Sequence, residues 1–508
     1  MHIQTKIHRS FLLGLFCFIC ACGILLVCSE CSPLYPYNQW GDANIYFTIG
    51  RGMTKGLMPY RDLVDHKGPL LYLLHMVGAW INSQSFLGVW LLELIAGTSF
   101  LYFSAKLLLL FAGTGWTWAS VPIIAVLIYS SSAFGPGDSA EEFCLPLLAF
   151  SLYSFCRMFK AGEHWRPQLL LIWGNGILAG IILWTKFTLL GFHFGWMAVL
   201  GFIFWLKDHT FLKALKAGFV FLGGMLTITL LVFFYFLSQG ALADLFEVYF
   251  YDNLFHYVPY PVHWSEPLYN MLMSGLDLLR LNPLLVGLDL IGGLGLLFCR
   301  RLFQPIGRLA FLVLLFFMGF FIWGASRGFP YYGFPFACFL PIGIAVIANL
   351  PWSSLPFSLF SFSKKWKGIL LCGLWAVCIF FSYQLSPNTW YMHFRKEDLP
   401  QAKFAAIVDA ADGKTLLSYR CFDNGFYTFC DITPTCKYFT HLNLSDTTEM
   451  DELVNSMVAR GAFDFIVTLS PTPYSIMQPH YELVSTENWV IEGDLVTYGL
   501  YQRNFKLD

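Results

Sequence analysis

The chain has 508 residues, of which 57% are hydrophobic, 19% aromatic and only 12% charged, with a mean hydropathy of +0.59. That composition excludes a soluble globular protein and identifies an integral membrane protein. A formal net charge of −1 excludes a general attraction to polyanions, so no nucleic acid is expected among its partners.

A spanning helix takes roughly 20 mostly apolar residues. About eleven such runs follow one another, at residues 11–27, 86–111, 118–134, 143–159, 169–184, 187–206, 214–237, 283–298, 309–323, 329–350 and 368–385. The apolar stretch 69–82 is too short to cross, and its placement decides the topology. If it lies along the interface, Lys6, Arg9, Arg157, Lys160, Arg166, Lys207, Lys213, Lys216, Arg300, Arg301, Arg308, Lys364, Lys365 and Lys367 share one side, which the excess of positive charge makes the cytoplasm. A crossing there reverses the asymmetry. We therefore read 69–82 as a juxtamembrane helix with Pro69 in its first turn. Loops 28–85, 135–142 and 238–282, and everything after 386, then face outward. Lys6 and Arg9 before an apolar run also fit a cleaved signal peptide; an uncleaved first span is expected, because the later spans already anchor the chain.

From Arg395 the composition turns soluble. Residues 399–409 read as a helix with Phe404, Ile407 and Val408 on one face, and Asp446 with Glu449 forms a capping-box pattern before a helix that stops at Gly461. Runs at 415–419, 465–469, 481–485 and 496–501 read as strands. The expected organisation is a transmembrane domain over 1–390 with outward loop 28–85, and a small extracytoplasmic α/β domain over 391–508. Most cysteines lie in spans as small apolar side chains; Cys421, Cys430 and Cys436 face an oxidising exterior where one pair would be allowed to bridge. The serine-rich stretch 353–363 reads as a cytoplasmic linker.

Charge is scarce, so charged residues at the membrane border are functional candidates. Asp42, in Trp40-Gly41-Asp42, sits at the water boundary where a carboxylate can accept a proton, and it fits equally well as a helix N-cap. Asp65, His66 and Lys67 offer an acceptor, an imidazole and a cation in three positions, enough to hold a phosphate or a sugar hydroxyl; the plain alternative is a salt-bridged turn. Arg51, Lys55 and Arg61 share that outward loop with Lys67 against the usual bias, which points to an anionic ligand. Asp138, Glu141 and Glu142 crowd a loop with no basic residue of its own. They call for a compensating cation, hydrogen bonds to a sugar, or a divalent metal ion, although acids are also favoured at the start of a helix. Lys186 and Arg327 emerge at the outer border, placed to bind a lipid phosphate or simply to snorkel. Tyr332 follows Arg327 closely, and His256 lies in an aromatic loop with Tyr249, Tyr251, Phe255 and Tyr257; both are candidate substrate contacts, while the loop as a whole suits either sugar stacking or an interfacial belt. Glu93, inside the second span, either holds the bundle or belongs to the site.

Three features resemble one known group. An acidic residue opens a juxtamembrane helix after the first span, here Gly41-Asp42. A Gly-x-x-Pro-Tyr stretch at 56–60 leads to Lys-Gly-Pro-Leu at 67–70. A second acidic loop, 138–142, precedes the fourth span. Together they are similar to the bacterial GT-C glycosyltransferases of glycosyltransferase family 39 and the dolichyl-phosphate-mannose mannosyltransferase-like proteins, whose layout covers roughly the first 350 residues. The chain departs from them at Gly41, where many relatives carry an acid, and at Gly68, where they carry proline. The resemblance implies a mainly α, polytopic transmembrane helical bundle. It implies an inverting, polyprenyl-phosphate-sugar-dependent transferase at the outer face of a bacterial cytoplasmic membrane, acting on a glycan, lipid or protein acceptor in cell-envelope modification. It also implies Asp42 as general base, Lys186 and Arg327 with Lys67 on the departing phosphate, and Asp138, Glu141 and Glu142 on the sugar or a metal. The rival reading is a transporter or flippase of lipid-linked saccharides, which paired repeats would favour; no such symmetry is visible.

Overall fold

The computed structural model describes residues 2–160, 168–208, 210–257, 263–298, 305–325, 328–350, 364–445, 447–491 and 494–504. The helices are α1 (His2–Cys28), α2 (Gly41–Thr54), α3 (Pro69–Ile81), α4 (Leu87–Phe111), α5 (Gly113–Tyr129), α6 (Ala140–Lys160), α7 (Leu169–Lys186), α8 (Gly191–Asp208), α9 (Phe211–Ser238), α10 (Glu266–Leu281), α11 (Pro283–Phe298), α12 (Pro305–Trp323), α13 (Leu340–Ala348), α14 (Lys364–Leu385), α15 (Pro400–Ala410) and α16 (Thr448–Ala459). Each apolar run has its helical counterpart among these. Six segments of the described residues are long and apolar enough to cross a membrane, one of them running 37 residues from Leu169 to Trp205, and Pro69–Ile81, Gly113–Tyr129, Pro283–Gly295 and Gly307–Trp323 are shorter apolar helices. The chain is a multi-pass, mainly helical membrane protein with a small C-terminal sheet.

The run 329–350 is not one continuous helix. Pro330, Pro335 and Pro341 remove N–H donors along it, and the chain forms a 3₁₀ segment, Pro330–Phe339, before α13. At 13 residues α3 extends about 20 Å, with Gly68 extended at its N-cap and Pro69 at the first position.

The chain divides into two compact units. One comprises Met1–Ser29, Leu92–Val232 and Pro261–Trp390; the other comprises Glu30–Leu91, Phe233–Tyr260 and Tyr391–Asp508. In the second, strands β1 (Leu416–Ser418), β2 (Phe465–Thr468), β3 (Tyr481–Ile491) and β4 (Asp494–Arg503) form a sheet ordered β1-β2-β4-β3. Strands β1 and β2 are parallel, with Leu416 opposite Phe465, and the remaining pairings are antiparallel. Both β1, at the sheet edge, and β2, inside it, are buried throughout. Helix α16 starts at Thr448, where Thr447 Oγ1 donates to Asp451 at 2.8 Å, and ends before Gly461 at φ +67°. Asp446, of the expected capping box, lies outside the described residues, as does the stretch 353–363.

Cys421, Cys430 and Cys436 are all buried free thiols, so the bridge that the exterior would allow is not formed. Burial raises each thiol, Cys430 to about 12, which keeps it in the unreactive protonated form.

Within the same unit, α2 packs against the C-terminal residues through polar contacts. Thr48 Oγ1 donates to Asp423 Oδ2 at 2.5 Å, and Asp423 Oδ1 accepts the Gly425 N–H at 2.9 Å. Desolvation pushes the Asp423 carboxyl up to about 6, against the hydrogen bonds and the Arg51 charge that favour its ionised form. A carboxyl raised on folding binds its proton more tightly in the native state, so its contribution to stability falls as pH rises from about 4 to about 6 and is constant above. In thermal unfolding of the detergent-solubilised protein, the midpoint of Asp423→Asn relative to the parent should therefore rise over that window and then level. A difference that is flat from pH 4 to 8 would contradict it.

Candidate functional site

The second unit holds the first cluster. Helix α2 begins at Gly41 because Trp40 stays extended (ψ 126°), which makes Trp40 the N-cap and places Asp42 in the first turn. The N-cap role open to Asp42 from sequence is thereby excluded. Its carboxylate, a quarter exposed, accepts the Tyr46 hydroxyl at 3.1 Å one turn later and lies 3.8 Å from Lys67 Nζ. An acid near a helix start is favoured by the dipole, and Lys67 adds a cation, so this carboxylate is held in one orientation from two sides.

Lys67 is largely buried. Its ammonium is 3.1 Å from His66 Nε2 and 5.6 Å above the Tyr46 ring. The other imidazole nitrogen, Nδ1, stands 3.3 Å from Asp65 Oδ1, while Asp65 Oδ2 accepts the Tyr72 hydroxyl from α3 at 2.8 Å. Asp42, Lys67, His66 and Asp65 thus form one chain of polar contacts. Tyr60, at φ +70°, donates its hydroxyl to the Lys67 carbonyl at 2.6 Å, and the Lys67 N–H donates to Tyr72 at 2.9 Å. The turn is fixed by two buried tyrosines as well as by its own local pairs, Asp65 with His66 and Arg61 with Asp62. Sequence reasoning missed Tyr46, Tyr60 and Tyr72; the i, i+4 spacing of Asp42 and Tyr46 was a readable sign of the first.

The aromatic loop joins this cluster. Asn253 Nδ2 donates to the His66 carbonyl at 2.7 Å, and the Tyr257 ring lies 4.3 Å from the imidazole. His256 pairs with Asp252 at 3.0 Å, in a stretch where the helix widens to a π-turn over Glu247–Asp252, a local geometry often found at functional sites.

The first unit holds the second cluster. Ser139 Oγ accepts the Glu142 N–H at 3.1 Å and caps α6. The Asp138 N–H is shared between Glu93 Oε1 at 2.9 Å and Glu142 Oε2 at 3.0 Å, and Ser29 donates to Glu93 at 2.6 Å. Asp138, Glu141, Glu142 and Glu93 are all buried. The turn before them is tied down by Asn388, whose amide donates to the carbonyls of Cys28 and Gly135 at 2.6 and 2.7 Å. Gly137 is required here: at φ +91° a Cβ would stand 2.7 Å from Glu93 Oε1 and 2.8 Å from Ser29 Oγ. Gly137→Ala is expected to lower stability by about 1–3 kcal/mol, read as a lower thermal midpoint in detergent; an unchanged midpoint would count against the tight turn.

Glu141 forms an ion pair with Lys186, at the end of α7. The Lys186 ammonium also lies 4.1 Å over the Tyr332 ring and 5.3 Å over Tyr331. The structure thus gathers Lys186, Glu141 and Tyr332 in one place, although they are 45 and 146 positions from Lys186 or apart from it in no local pattern. Arg327 lies outside the described residues. Among the described residues no group of three or more histidine, cysteine, aspartate or glutamate side chains is arranged to hold a metal ion, and one oxygen each of Glu93 and Glu142 takes the Asp138 N–H. The divalent ion considered for the acidic loop has no ligand set there.

No family model matches the chain, and no curated protein matches it in sequence. Solved structures do match in fold. ArnT from Cupriavidus metallidurans bound to undecaprenyl phosphate superposes with a TM-score of 0.60 at 12% identity, covering 96% of this chain and 98% of that one. Its apo state gives 0.59 at 12% identity, with 98% of both chains covered. The archaeal oligosaccharyltransferase AglB from Archaeoglobus fulgidus, in complex with an inhibitory peptide and a dolichol-phosphate, gives 0.51 at 11% identity, covering 91% of this chain and 69% of that one.

Proposed function

Proceeding from the GT-C glycosyltransferase fold that this chain shares with those structures, we propose that it transfers a sugar from a polyprenyl-phosphate carrier to a hydroxyl acceptor at the outer face of the cytoplasmic membrane, in modification of the cell envelope. The observation that carries the reading is the Asp42 carboxylate, oriented by Tyr46 and Lys67 yet a quarter exposed. Asp42 takes the proton of the acceptor hydroxyl as its oxygen forms a bond to the anomeric carbon. The bond from that carbon to the phosphate oxygen breaks with its electron pair, so the configuration inverts and polyprenyl phosphate departs carrying one more negative charge.

Stabilising that charge is the largest single contribution a protein makes in such a step. Lys186 is suited to it: Glu141 and the Tyr331 and Tyr332 rings hold its ammonium in a sparsely hydrated place, where a cation acts more strongly than in water. Lys67 serves the proton side, orienting the Asp42 carboxylate from 3.8 Å. His66 and Asp65 brace Lys67, and His256, paired with Asp252, and Tyr332, beneath the Lys186 ammonium, are further candidate substrate contacts. Asp138 and Glu142 shape the loop that presents Glu141. ArnT, of the same fold, is bound to undecaprenyl phosphate and AglB to dolichol-phosphate, which supports a lipid phosphate as the carrier here.

The test is a panel of undecaprenyl-phosphate-linked hexoses and pentoses presented to the protein in nanodiscs with an extract of envelope glycans and lipids. Acceptor-dependent release of undecaprenyl phosphate is expected for at least one donor. Movement of an intact donor across the bilayer without cleavage would instead make the protein a flippase.

A further inference from the structure

Resting on Asp42 as the base, we propose that the C-terminal residues act as a positioning element for it: the turn at 421–425 and the segment behind it set the rotation and register of α2, and with them the place of the Asp42 carboxylate.

Three polar residues of α2 and its C-cap Lys55 fall on one stripe. Asn44, Thr48, Arg51 and Lys55 are spaced i, i+4, i+7 and i+11, the repeat of a single helix face. Three of them meet partners from the C-terminal segment in chain order: Thr48 meets Asp423, Arg51 meets the Tyr427 carbonyl at 3.0 Å and Asp431 at 2.5 Å, and Lys55 meets Thr433 at 2.8 Å. Thr48, Arg51 and Asp423 are each no more than 4% exposed. A buried apolar face tolerates small rotations of a helix. A buried face of directional hydrogen bonds does not, since a slipped register strands charges and donors without partners.

The same turn reaches the first residues of α2. A Cβ on Gly41 would lie 3.2 Å from Phe422 Cβ and 3.3 Å from Asn424 Oδ1, so helix start and turn are in contact immediately beside Asp42. Gly425, at φ +94°, leaves a Cβ no room either, 2.5 Å from the Tyr37 ring and 3.0 Å from Asn44 Oδ1. On the other side of the carboxylate, the Val64 N–H donates to the Lys437 carbonyl at 3.0 Å, just before Asp65, His66 and Lys67. The C-terminal segment therefore holds both the helix that carries Asp42 and the turn that carries its cation.

Hydrogen–deuterium exchange on the full chain in nanodiscs tests this without a substrate. Thr48→Val keeps the shape of the side chain and removes the donor; Asp423→Ala removes the acceptor; Asp423→Asn keeps the hydrogen-bonding shape. Exchange across 41–54 should rise at least about 5-fold in the first two and stay within about 2-fold in the third, with 92–111 unchanged in all. On any donor the panel yields, Thr48→Val and Asp423→Ala should lower kcat at unchanged KM, and Asp423→Asn should restore it. Parental exchange across 41–54 in Thr48→Val, or a kcat that does not follow the exchange, would overturn the proposal. If Asp423→Ala also loosens β2, the variant has unfolded the sheet and Thr48→Val alone decides. Failure of Asp42 as base appears separately, as full transfer by Asp42→Asn with the exchange pattern intact.

Discussion

Asp42→Asn is expected to reduce sugar transfer by about 100- to 10,000-fold, the range that positioned proton acceptors contribute, while leaving the protein folded. The amide has the carboxylate's shape. Its oxygen still accepts the Tyr46 hydroxyl, which lies 3.1 Å from Asp42 Oδ2, so the first turn of α2 keeps its contact. What it loses is the capacity to take a proton and the charge that faces Lys67 across 3.8 Å. Binding of undecaprenyl phosphate, which requires no proton transfer, should stay within about 3-fold of the parent, because the pair is long at 3.8 Å and Lys67 keeps its contact with His66. The measurement is the initial rate of undecaprenyl phosphate release beside its binding isotherm. A rate within a few-fold of the parent would remove Asp42 from the reaction.

The second large effect is at Lys186. Its side chain is about one-tenth exposed and that of its partner Glu141 is 2% exposed. Lys186→Met leaves a buried carboxylate facing an apolar group, a loss of about 3 kcal/mol at the lower end of the range for breaking buried pairs. The double variant Lys186→Met with Glu141→Gln removes both charges, and most of the lost stability should return, since the cost lies in the uncompensated ion. Transfer should not return. Without the ammonium over Tyr331 and Tyr332, the departing phosphate loses a positioned cation, and a loss of about 100-fold or more is expected by analogy with removal of one charge-stabilising donor. Thermal midpoints and release rates of the two variants separate the roles. Recovery of both in the double variant would make Lys186 a structural cation only.

Hydropathy revealed the spans because a bilayer imposes one length and one composition on every crossing segment, and short apolar runs bounded by Gly, Pro and Asp revealed the C-terminal strands for a similar local reason. Where several prolines interrupted an apolar run, at 330, 335 and 341, composition still read as a span and the backbone became partly 3₁₀. Asp42 and Lys67 were singled out separately. That they lie within 3.8 Å depends on how α2 and the turn before α3 pack, which no local pattern encodes. Glu93 could be read as either a bundle residue or a site residue, and its hydrogen bonds to Ser29 and to the Asp138 N–H, 64 and 45 positions away, come from packing alone. The cysteines misled for a simpler reason: an oxidising exterior permits a bridge, but only proximity makes one.

The partnership of Thr48 with Asp423 spans 375 positions. At about 5–20 residues per second, a ribosome needs on the order of 20–75 s to make that intervening stretch. For all of that time the partners of Thr48, Arg51 and Lys55 do not yet exist. Biogenesis therefore runs against a clock, and a chain stalled before residue 423 leaves the Arg51 guanidinium and the Thr48 hydroxyl without the C-terminal groups that receive them in the finished protein.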